Sequence, residues 1–133
     1  MVLKMLPKTL MTDQTIMSGM RILLVDDDPI ARESIKLLLR IDRHNVTEAK
    51  DAEEAQKLFR QNVFDLVISD YFMPNTLGNE LAVNLWRISP STPFLMVTGY
   101  YEKLVNSGVP VDAILAKPFG PHELRQAIAR AFD

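Results

Sequence analysis

The chain has 133 residues, of which 47% are hydrophobic and 24% are charged, a balance that fits one ordinary globular domain. The net charge of −2 argues against a nucleic-acid-binding face, no apolar run reaches the roughly 18 residues of a membrane helix, and the lack of cysteine excludes disulfides, thiolate zinc sites and cysteine nucleophiles. We therefore expect a cytoplasmic protein without a direct nucleic-acid or membrane partner.

The first elements follow an uninformative N-terminus. Residues 1–19 show no apolar period and are predicted to be a flexible extension, with the domain occupying residues 20–133. Residues 22–25 form a continuous apolar run, which is typical of a strand buried on both faces. Asp28 and Pro29 come next, as an N-cap and a first-turn proline, and they predict the start of a helix.

The middle of the chain repeats this alternation. Residues 45–49 predict a weaker strand, and Asp51 with Glu54 three positions later is a capping pair that predicts a second helix. Residues 65–69 are a second buried apolar run that ends at an aspartate. Residues 77–88 then carry apolar side chains at helical spacing.

The last third completes the pattern. Residues 94–97 and 113–116 are two further buried runs, and Gly120 with Pro121 predicts the start of a final helix. Strands that alternate with helices indicate a parallel sheet covered on both faces. The expected fold is α/β, a flavodoxin-like three-layer sandwich with about five helices and, by analogy, strand order 2-1-3-4-5.

Polar residues follow the apolar strands of this predicted sheet. They are Asp26, Asp27, Asp28, Asp70, Thr98 and Lys117. The carboxyl ends of parallel strands meet at one edge, so these side chains should converge there. Two carboxylates about 4 Å apart repel by about 4 kcal/mol at an effective dielectric constant of about 20, so a group of them needs a cation. Magnesium, which prefers oxygen ligands, is the expected one.

The same residues match the requirements of phosphoryl transfer. A carboxylate such as Asp70 can attack phosphorus and form an acyl phosphate. A metal held by Asp26 and Asp27, the ammonium of Lys117 and the hydroxyl of Thr98 would each neutralise or bind a phosphoryl oxygen. Asp28, in contrast, is accounted for as a helix cap.

Four segments resemble the signatures of response-regulator receiver domains, in the order and close to the spacing of that family. They are Leu24-Val25-Asp26-Asp27-Asp28, Val67-Ile68-Ser69-Asp70-Tyr71-Phe72-Met73-Pro74, Met96-Val97-Thr98-Gly99 and Ala116-Lys117-Pro118-Phe119. The resemblance runs from about residue 20 to the C-terminus. It implies a two-component phosphorelay protein.

The resemblance also implies roles for individual residues. Asp70 would be the phosphoacceptor, Thr98 would bind the phosphoryl group and move on activation, and Lys117, before a cis proline, would pair with that group. Magnesium would be held by the carboxylates of Asp26, Asp27 and Asp70 and by the backbone carbonyl of Phe72. The donor would be a phosphohistidine on a sensor histidine kinase or a phosphotransfer protein. The chain would be a monomer or weak dimer and no enzyme beyond its own phosphorylation and slow dephosphorylation.

Two features depart from the family pattern. The residue three positions before Lys117, usually aromatic in receivers, is Ile114. The stretch from Thr98 to Lys117 is short and contains glycine and proline, so the fourth helix should be short or irregular. Phe72 and Tyr100 should flank the acyl phosphate and slow its hydrolysis.

Other interpretations stay open at this stage. A haloacid-dehalogenase-type magnesium phosphatase also uses a strand-end aspartate, but its motif continues with glycine and threonine where this chain has Pro29 and Ile30. A degenerate receiver that acts as an interaction module is the second alternative. His44 and His122 are assigned to the surface, and Trp86 to core or interface packing.

Overall fold

The computed structural model describes residues 17–133, in which strands and helices alternate. The strands are Arg21–Val25 (β1), Asn45–Ala49 (β2), Leu66–Asp70 (β3), Phe94–Thr98 (β4) and Ala113–Ala116 (β5). The helices are Pro29–Ile41 (α1), Ala52–Gln61 (α2), Gly78–Ile88 (α3), Tyr101–Val105 (α4) and Pro121–Ala131 (α5). None of these described helices combines the length and the apolar character needed to cross a membrane.

The strands form one parallel sheet in the order β2-β1-β3-β4-β5, which confirms the predicted fold. From β1 the chain moves outward to β2, then crosses back to place β3 on the other side of β1. The strand order therefore reverses between β1 and β3. In open α/β sheets, ligands bind beyond the carboxyl ends of the strands at such a point.

Two apolar clusters lie on opposite faces of the sheet, because successive side chains of a strand point in opposite directions. In β1, Ile22 and Leu24 pack into the cluster that contains α1 and α5, whereas Leu23 and Val25 pack into the cluster that contains α2, α3 and α4. All four side chains are at most 1% exposed. Burial on both faces explains why β1, β3 and β4 contain continuous apolar runs.

The predicted helix starts are confirmed by their capping contacts. The Asp28 carboxylate accepts a hydrogen bond from the Ile30 N–H at 3.0 Å, and α1 begins with Pro29. The Asp51 carboxylate accepts from the Glu54 N–H at 2.8 Å at the start of α2. These contacts involve residues two or three positions apart, so the sequence alone specifies them.

The fourth helix is short, as predicted: α4 has 5 residues, and Gly108 follows it with a φ of 71°. The predicted N-terminal extension lies outside the described residues except for residues 17–19. Of these, Met17 is 5% exposed and packs into the α1–α5 cluster.

The surface position predicted for His44 is wrong. His44 is buried, and its Nδ1 accepts a hydrogen bond from the Met20 N–H at 3.2 Å. Arg43 comes directly before His44 and has a φ of 63°, so the chain turns at this position after α1 ends. For Trp86, core packing is wrong, because the residue is 62% exposed on α3, and interface packing stays a prediction.

Candidate functional site

The candidate site lies at the carboxyl edge of the sheet, by which we mean the end where the five strands finish. Asp26 and Asp27 follow β1, Asp70 ends β3, Thr98 ends β4 and Lys117 follows β5. Parallel pairing brings these strand ends together, although the residues are far apart in the sequence. All five predicted side-chain positions are therefore at one edge.

Three of these residues form a carboxylate cluster. One oxygen from each of Asp26, Asp27 and Asp70 can be chosen so that the three atoms lie within 4.8 Å of one another. Asp26 is buried, Asp70 is half-buried and Asp27 is exposed. Negative charges at these separations repel strongly unless a cation joins them.

The pKa values of two of these carboxyls reflect the environment. Burial raises the pKa of Asp26, a hydrogen bond from the Asp28 N–H opposes that effect, and the charge of Asp70 adds to it. Burial also raises the pKa of Asp70, and the nearby Lys117 ammonium only partly offsets the rise. Both carboxyls are thus costly to ionise in the protein alone.

The two oxygens of Asp26 differ in their partners. Oδ1 accepts a hydrogen bond from the Asp28 N–H at 2.9 Å, whereas Oδ2 is buried without a hydrogen-bond partner. An unpartnered buried carboxylate oxygen is unfavourable unless it binds something that the protein itself does not supply. A hard divalent cation such as magnesium fits this oxygen and the two neighbouring carboxylates.

Lys117 provides a positive charge at the phosphoacceptor candidate. Its Nζ lies 3.2 Å from Oδ1 of Asp70. Its backbone N–H donates to the carbonyl of Thr98 at 2.8 Å, and the Lys117–Pro118 peptide bond is cis, as the resemblance implied. The ammonium is therefore available both to Asp70 and to an anion bound there.

Thr98 is buried at the end of β4. Its Oγ1 accepts a hydrogen bond from the Tyr100 N–H at 2.9 Å. Accepting this bond uses a lone pair of the hydroxyl oxygen and not the hydroxyl hydrogen. That hydrogen can therefore be donated to another acceptor. A phosphoryl oxygen is an acceptor of the required kind.

Two aromatic side chains connect the loops that follow β3 and β4. The rings of Phe72 and Tyr100 meet edge to face with centroids 4.9 Å apart, and each residue is 50% exposed. The Tyr71 ring also meets the Phe72 ring edge to face, with centroids 4.9 Å apart, and the Lys103 ammonium lies 5.9 Å from the Tyr100 ring centroid. The aromatic pair, Phe72 and Tyr100, thus joins residues two positions beyond Asp70 and Thr98.

Gly78 is a residue of the site that the sequence analysis missed. A Cβ atom at this position would lie 2.7 Å from the carbonyl oxygen of Asp70 and 3.0 Å from the Cα of Tyr71. The Gly78 N–H also donates to the Tyr71 carbonyl at 2.7 Å. A glycine at the second position of the predicted helix over residues 77–88 was the available signal, since glycine is a poor helix former.

Comparison with known proteins gives a family for this arrangement. The model of the response regulator receiver domain matches residues 22–129. The two-component response regulator ORR22 of Oryza sativa subsp. indica is 40% identical over 112 residues, which cover 80% of this chain and 16% of that protein. The phosphate regulon transcriptional regulatory protein PhoB of Pseudomonas aeruginosa is 34% identical over 113 residues, which cover 81% of this chain and 49% of that protein.

A solved structure shows the same fold. The response regulator protein TrrA of Thermotoga maritima, crystallised in complex with Mg²⁺ and BeF, superposes with a TM-score of 0.78 at 30% identity. The match covers 84% of this chain and 98% of that chain. Compared with the two sequence relatives, the chain spans less than half of each full protein.

Proposed function

The chain belongs to the response regulator receiver domain family of two-component signalling, and from that membership we propose that Asp70 is its phosphoacceptor. The observation that carries the proposal is the cluster of Asp26, Asp27 and Asp70, within 4.8 Å, with the Lys117 ammonium 3.2 Å from Asp70. Phosphoryl transfer requires a nucleophile surrounded by positive charge, and this edge of the sheet is built to supply both.

The proposed reaction begins with a carboxylate oxygen of Asp70 attacking the phosphorus of a phosphohistidine. The new O–P bond forms while the P–N bond breaks, and the imidazole nitrogen leaves with the electron pair. The product is an acyl phosphate on Asp70 and a free histidine on the donor. Receiver domains of two-component systems interact with histidine kinases or phosphotransfer proteins, and we propose such a donor here.

The other residues at this edge would stabilise charge on the transferred group. Lys117 would move its ion pair from Asp70 to a phosphoryl oxygen. Thr98 would donate its hydroxyl hydrogen to another oxygen while its Oγ1 keeps accepting from the Tyr100 N–H. Positioned donors of this kind act at the point where negative charge accumulates.

Receiver domains generally bind magnesium, and the chain's own groups fit such an ion. We propose that it is held by the carboxylates of Asp26, Asp27 and Asp70 and by the backbone carbonyl of Phe72, with the buried, unpartnered Asp26 Oδ2 as the clearest candidate ligand atom. When bound, the ion would neutralise negative charge on the carboxylates and on the phosphoryl group.

The remaining assignments are proposals of the same kind. We place the receiver domain at residues 20–133, in agreement with the family match over residues 22–129. Family members are phosphoacceptors, and we propose that this chain catalyses only its own phosphorylation and slow dephosphorylation. Its cytoplasmic location and its monomeric or weakly dimeric state stay predictions.

The alternative functions are not favoured. A haloacid-dehalogenase-type phosphatase is inconsistent with the family match, which spans almost the whole described chain. A degenerate receiver would lack part of the phosphorylation machinery, whereas all the acidic residues, the threonine and the lysine are in place. Loss of magnesium binding in the purified protein would revive this second alternative.

Labelling tests the phosphoacceptor directly. The protein is incubated with magnesium and acetyl phosphate, and phosphorylation is quantified by intact mass for the wild type, Asp70→Asn and the control Asp112→Asn. We expect labelling of the wild type and the control and none of Asp70→Asn. Asp27→Ala should lose magnesium binding, measured by calorimetry. Equal labelling of the wild type and Asp70→Asn would refute the proposal.

A further inference from the structure

We propose that Arg32 is a positioning residue of the metal site, which Glu48 holds in place so that the β1–α1 loop presents its carboxylates to magnesium. The inference rests on the proposed function, because it assumes that Asp26 and Asp27 bind the ion. It concerns two residues that touch neither the phosphoryl group nor the metal.

The contacts of Arg32 carry the argument. Its Nη1 donates to the backbone carbonyl of Asp26 at 2.7 Å, and its Nε donates to Oε1 of Glu48 at 3.1 Å. The Arg32 side chain is 19% exposed. A guanidinium presents its donors in a rigid planar fork, so binding both groups at once fixes the distance between the loop and β2.

The backbone of Asp26 is thereby tied to β2 on both sides. Its N–H donates to the carbonyl of Ala49 at 3.1 Å, and its carbonyl is linked through Arg32 to Glu48, the neighbour of Ala49 in β2. Because the peptide unit is planar, holding the Asp26 carbonyl also orients the bond that leads into Asp27. One contact therefore directs both carboxylates of the loop.

A second cation keeps Glu48 in position. The Lys36 ammonium lies 3.2 Å from Oε2 of Glu48 and 2.8 Å from Glu33. Arg32 and Lys36 are four residues apart on α1 and therefore lie on the same face of the helix. Burial raises the pKa of Glu48, but the hydrogen bonds from Lys36 and Arg32 outweigh this effect and lower it. Glu48 is thus a fixed anion.

A purely structural role would look different, and the chain offers an example. Arg125 pairs with both carboxylate oxygens of Asp42, at 2.8 and 2.9 Å, and so joins α5 to the end of α1. That pair binds no part of the loop that carries Asp26 and Asp27. It is the matched control for an arginine whose contacts stabilise the fold alone.

Electrostatics and positioning predict opposite results, which makes the inference testable. If the charge of Arg32 were the dominant effect, its removal would tighten magnesium binding, because like charges repel. If positioning dominates, removal should weaken binding, by about tenfold, as is typical when a residue that orients a metal ligand is lost.

The experiment measures the magnesium dissociation constant by calorimetry at pH 7 and constant ionic strength. We expect Arg32→Gln to raise the constant about tenfold and Glu48→Gln to raise it by a smaller factor. Arg125→Gln should leave it unchanged. Thermal melts in EDTA show how far each variant lowers the stability of the metal-free protein.

Three outcomes are decisive. The proposal is supported if Arg32→Gln binds magnesium about tenfold more weakly while Arg125→Gln, at a similar melting temperature, keeps the wild-type affinity. Equal or tighter binding in folded Arg32→Gln overturns it. If Arg32→Gln does not fold, Glu48→Gln decides alone, and unchanged affinity there refutes the inference. Absence of magnesium binding by the wild type would instead overturn the proposed function.

Discussion

Aspartate side chains have different roles at the two edges of the sheet. At the amino edge, where the strands begin, Asp65 accepts from the Arg21 N–H at 2.8 Å and Asp112 accepts from the Phe94 N–H at 2.8 Å. At the carboxyl edge, Asp26 keeps a buried oxygen without any partner. At the amino edge, aspartates accept backbone hydrogen bonds that stabilise the fold. At the carboxyl edge, an aspartate oxygen stays available to a ligand.

The pKa shifts follow this division. Burial raises the pKa of Asp65, but hydrogen bonds from the Arg21 side chain and backbone outweigh it and lower the value. Burial raises the pKa of Asp26 and of Asp70, and their partners do not compensate. The fold therefore gives up stability at the carboxyl edge, as expected where charged groups are kept ready for binding.

The largest effect is expected from Asp26→Asn. Loss of an outer-sphere partner costs about 10–100-fold in metal affinity, so loss of a ligand carboxylate should cost at least about a hundredfold. The same change removes a buried like charge and should stabilise the metal-free protein by about 1–2 kcal/mol at pH 7. Calorimetry with magnesium and urea unfolding in EDTA measure the two effects. A lower free energy of unfolding in the metal-free variant would contradict the view that the Asp26 charge costs stability at the carboxyl edge.

The amino edge should respond in the opposite way. Asp112→Ala leaves the Phe94 N–H without its acceptor and should lower the free energy of unfolding by about 1–3 kcal/mol. Magnesium affinity should not change, because Asp112 lies at the other end of the sheet. Urea unfolding and calorimetry on the same samples test both statements. A parallel loss of magnesium affinity would show that the two edges are not independent.

The pH dependence of stability should also separate the edges. Burial lowers the pKa of His44 below the ordinary 6.5, although Asp42 opposes the shift. The folded state therefore favours the neutral ring. Its contribution to stability is complete above about pH 6.5 and is lost on acidification at up to about 1.4 kcal/mol per pH unit. The pKa values of Asp26 and Asp70 are raised above the ordinary 3.8. Protonation of these carboxyls as the pH falls therefore increases the stability of the folded state.

The variant His44→Asn isolates the amino-edge part, because the Asn Oδ1 can still accept from the Met20 N–H. Urea unfolding in EDTA is measured between about pH 7.5 and 4.5. Below about pH 6.5, the free energy of unfolding of the variant should rise relative to that of the wild type. Stabilisation by magnesium should fade over the acidic range, because the ion needs ionised carboxylates. Parallel profiles for the two proteins would rule out the role of His44.

The smallest effect concerns the lifetime of the acyl phosphate. If the rings of Phe72 and Tyr100 restrict water at Asp70, Phe72→Leu and Tyr100→Leu should each dephosphorylate about 3–10-fold faster, equivalent to about 0.6–1.4 kcal/mol in barrier height. Trp86→Leu is the control, since Trp86 is an exposed aromatic residue that lines a groove with Asp112, at the amino edge. Decay is followed by intact mass after removal of the phosphodonor. Unchanged lifetimes would refute the shielding role.

Much of the fold was predictable because its signals are local. The caps at Asp28 and Asp51 bond within three residues of themselves, and the buried strands are unbroken apolar runs. The burial of His44 was not predictable, because its partner Met20 is 24 positions away. The close approach of Gly78 to the Asp70 carbonyl depends in the same way on how α3 docks against the end of β3.

The sequence by itself determined which chemical groups the site contains and which strand each one follows. Carboxylates, a hydroxyl and an ammonium placed directly after apolar runs predicted a phosphoacceptor edge, since parallel strands end together. Only the tertiary structure decided the pairings: Lys117 against Asp70 at 3.2 Å, and Arg32 against the Asp26 carbonyl at 2.7 Å. Such distances depend on sheet register and helix docking, and these are set by hydrogen bonds and packing between segments that are remote in the chain.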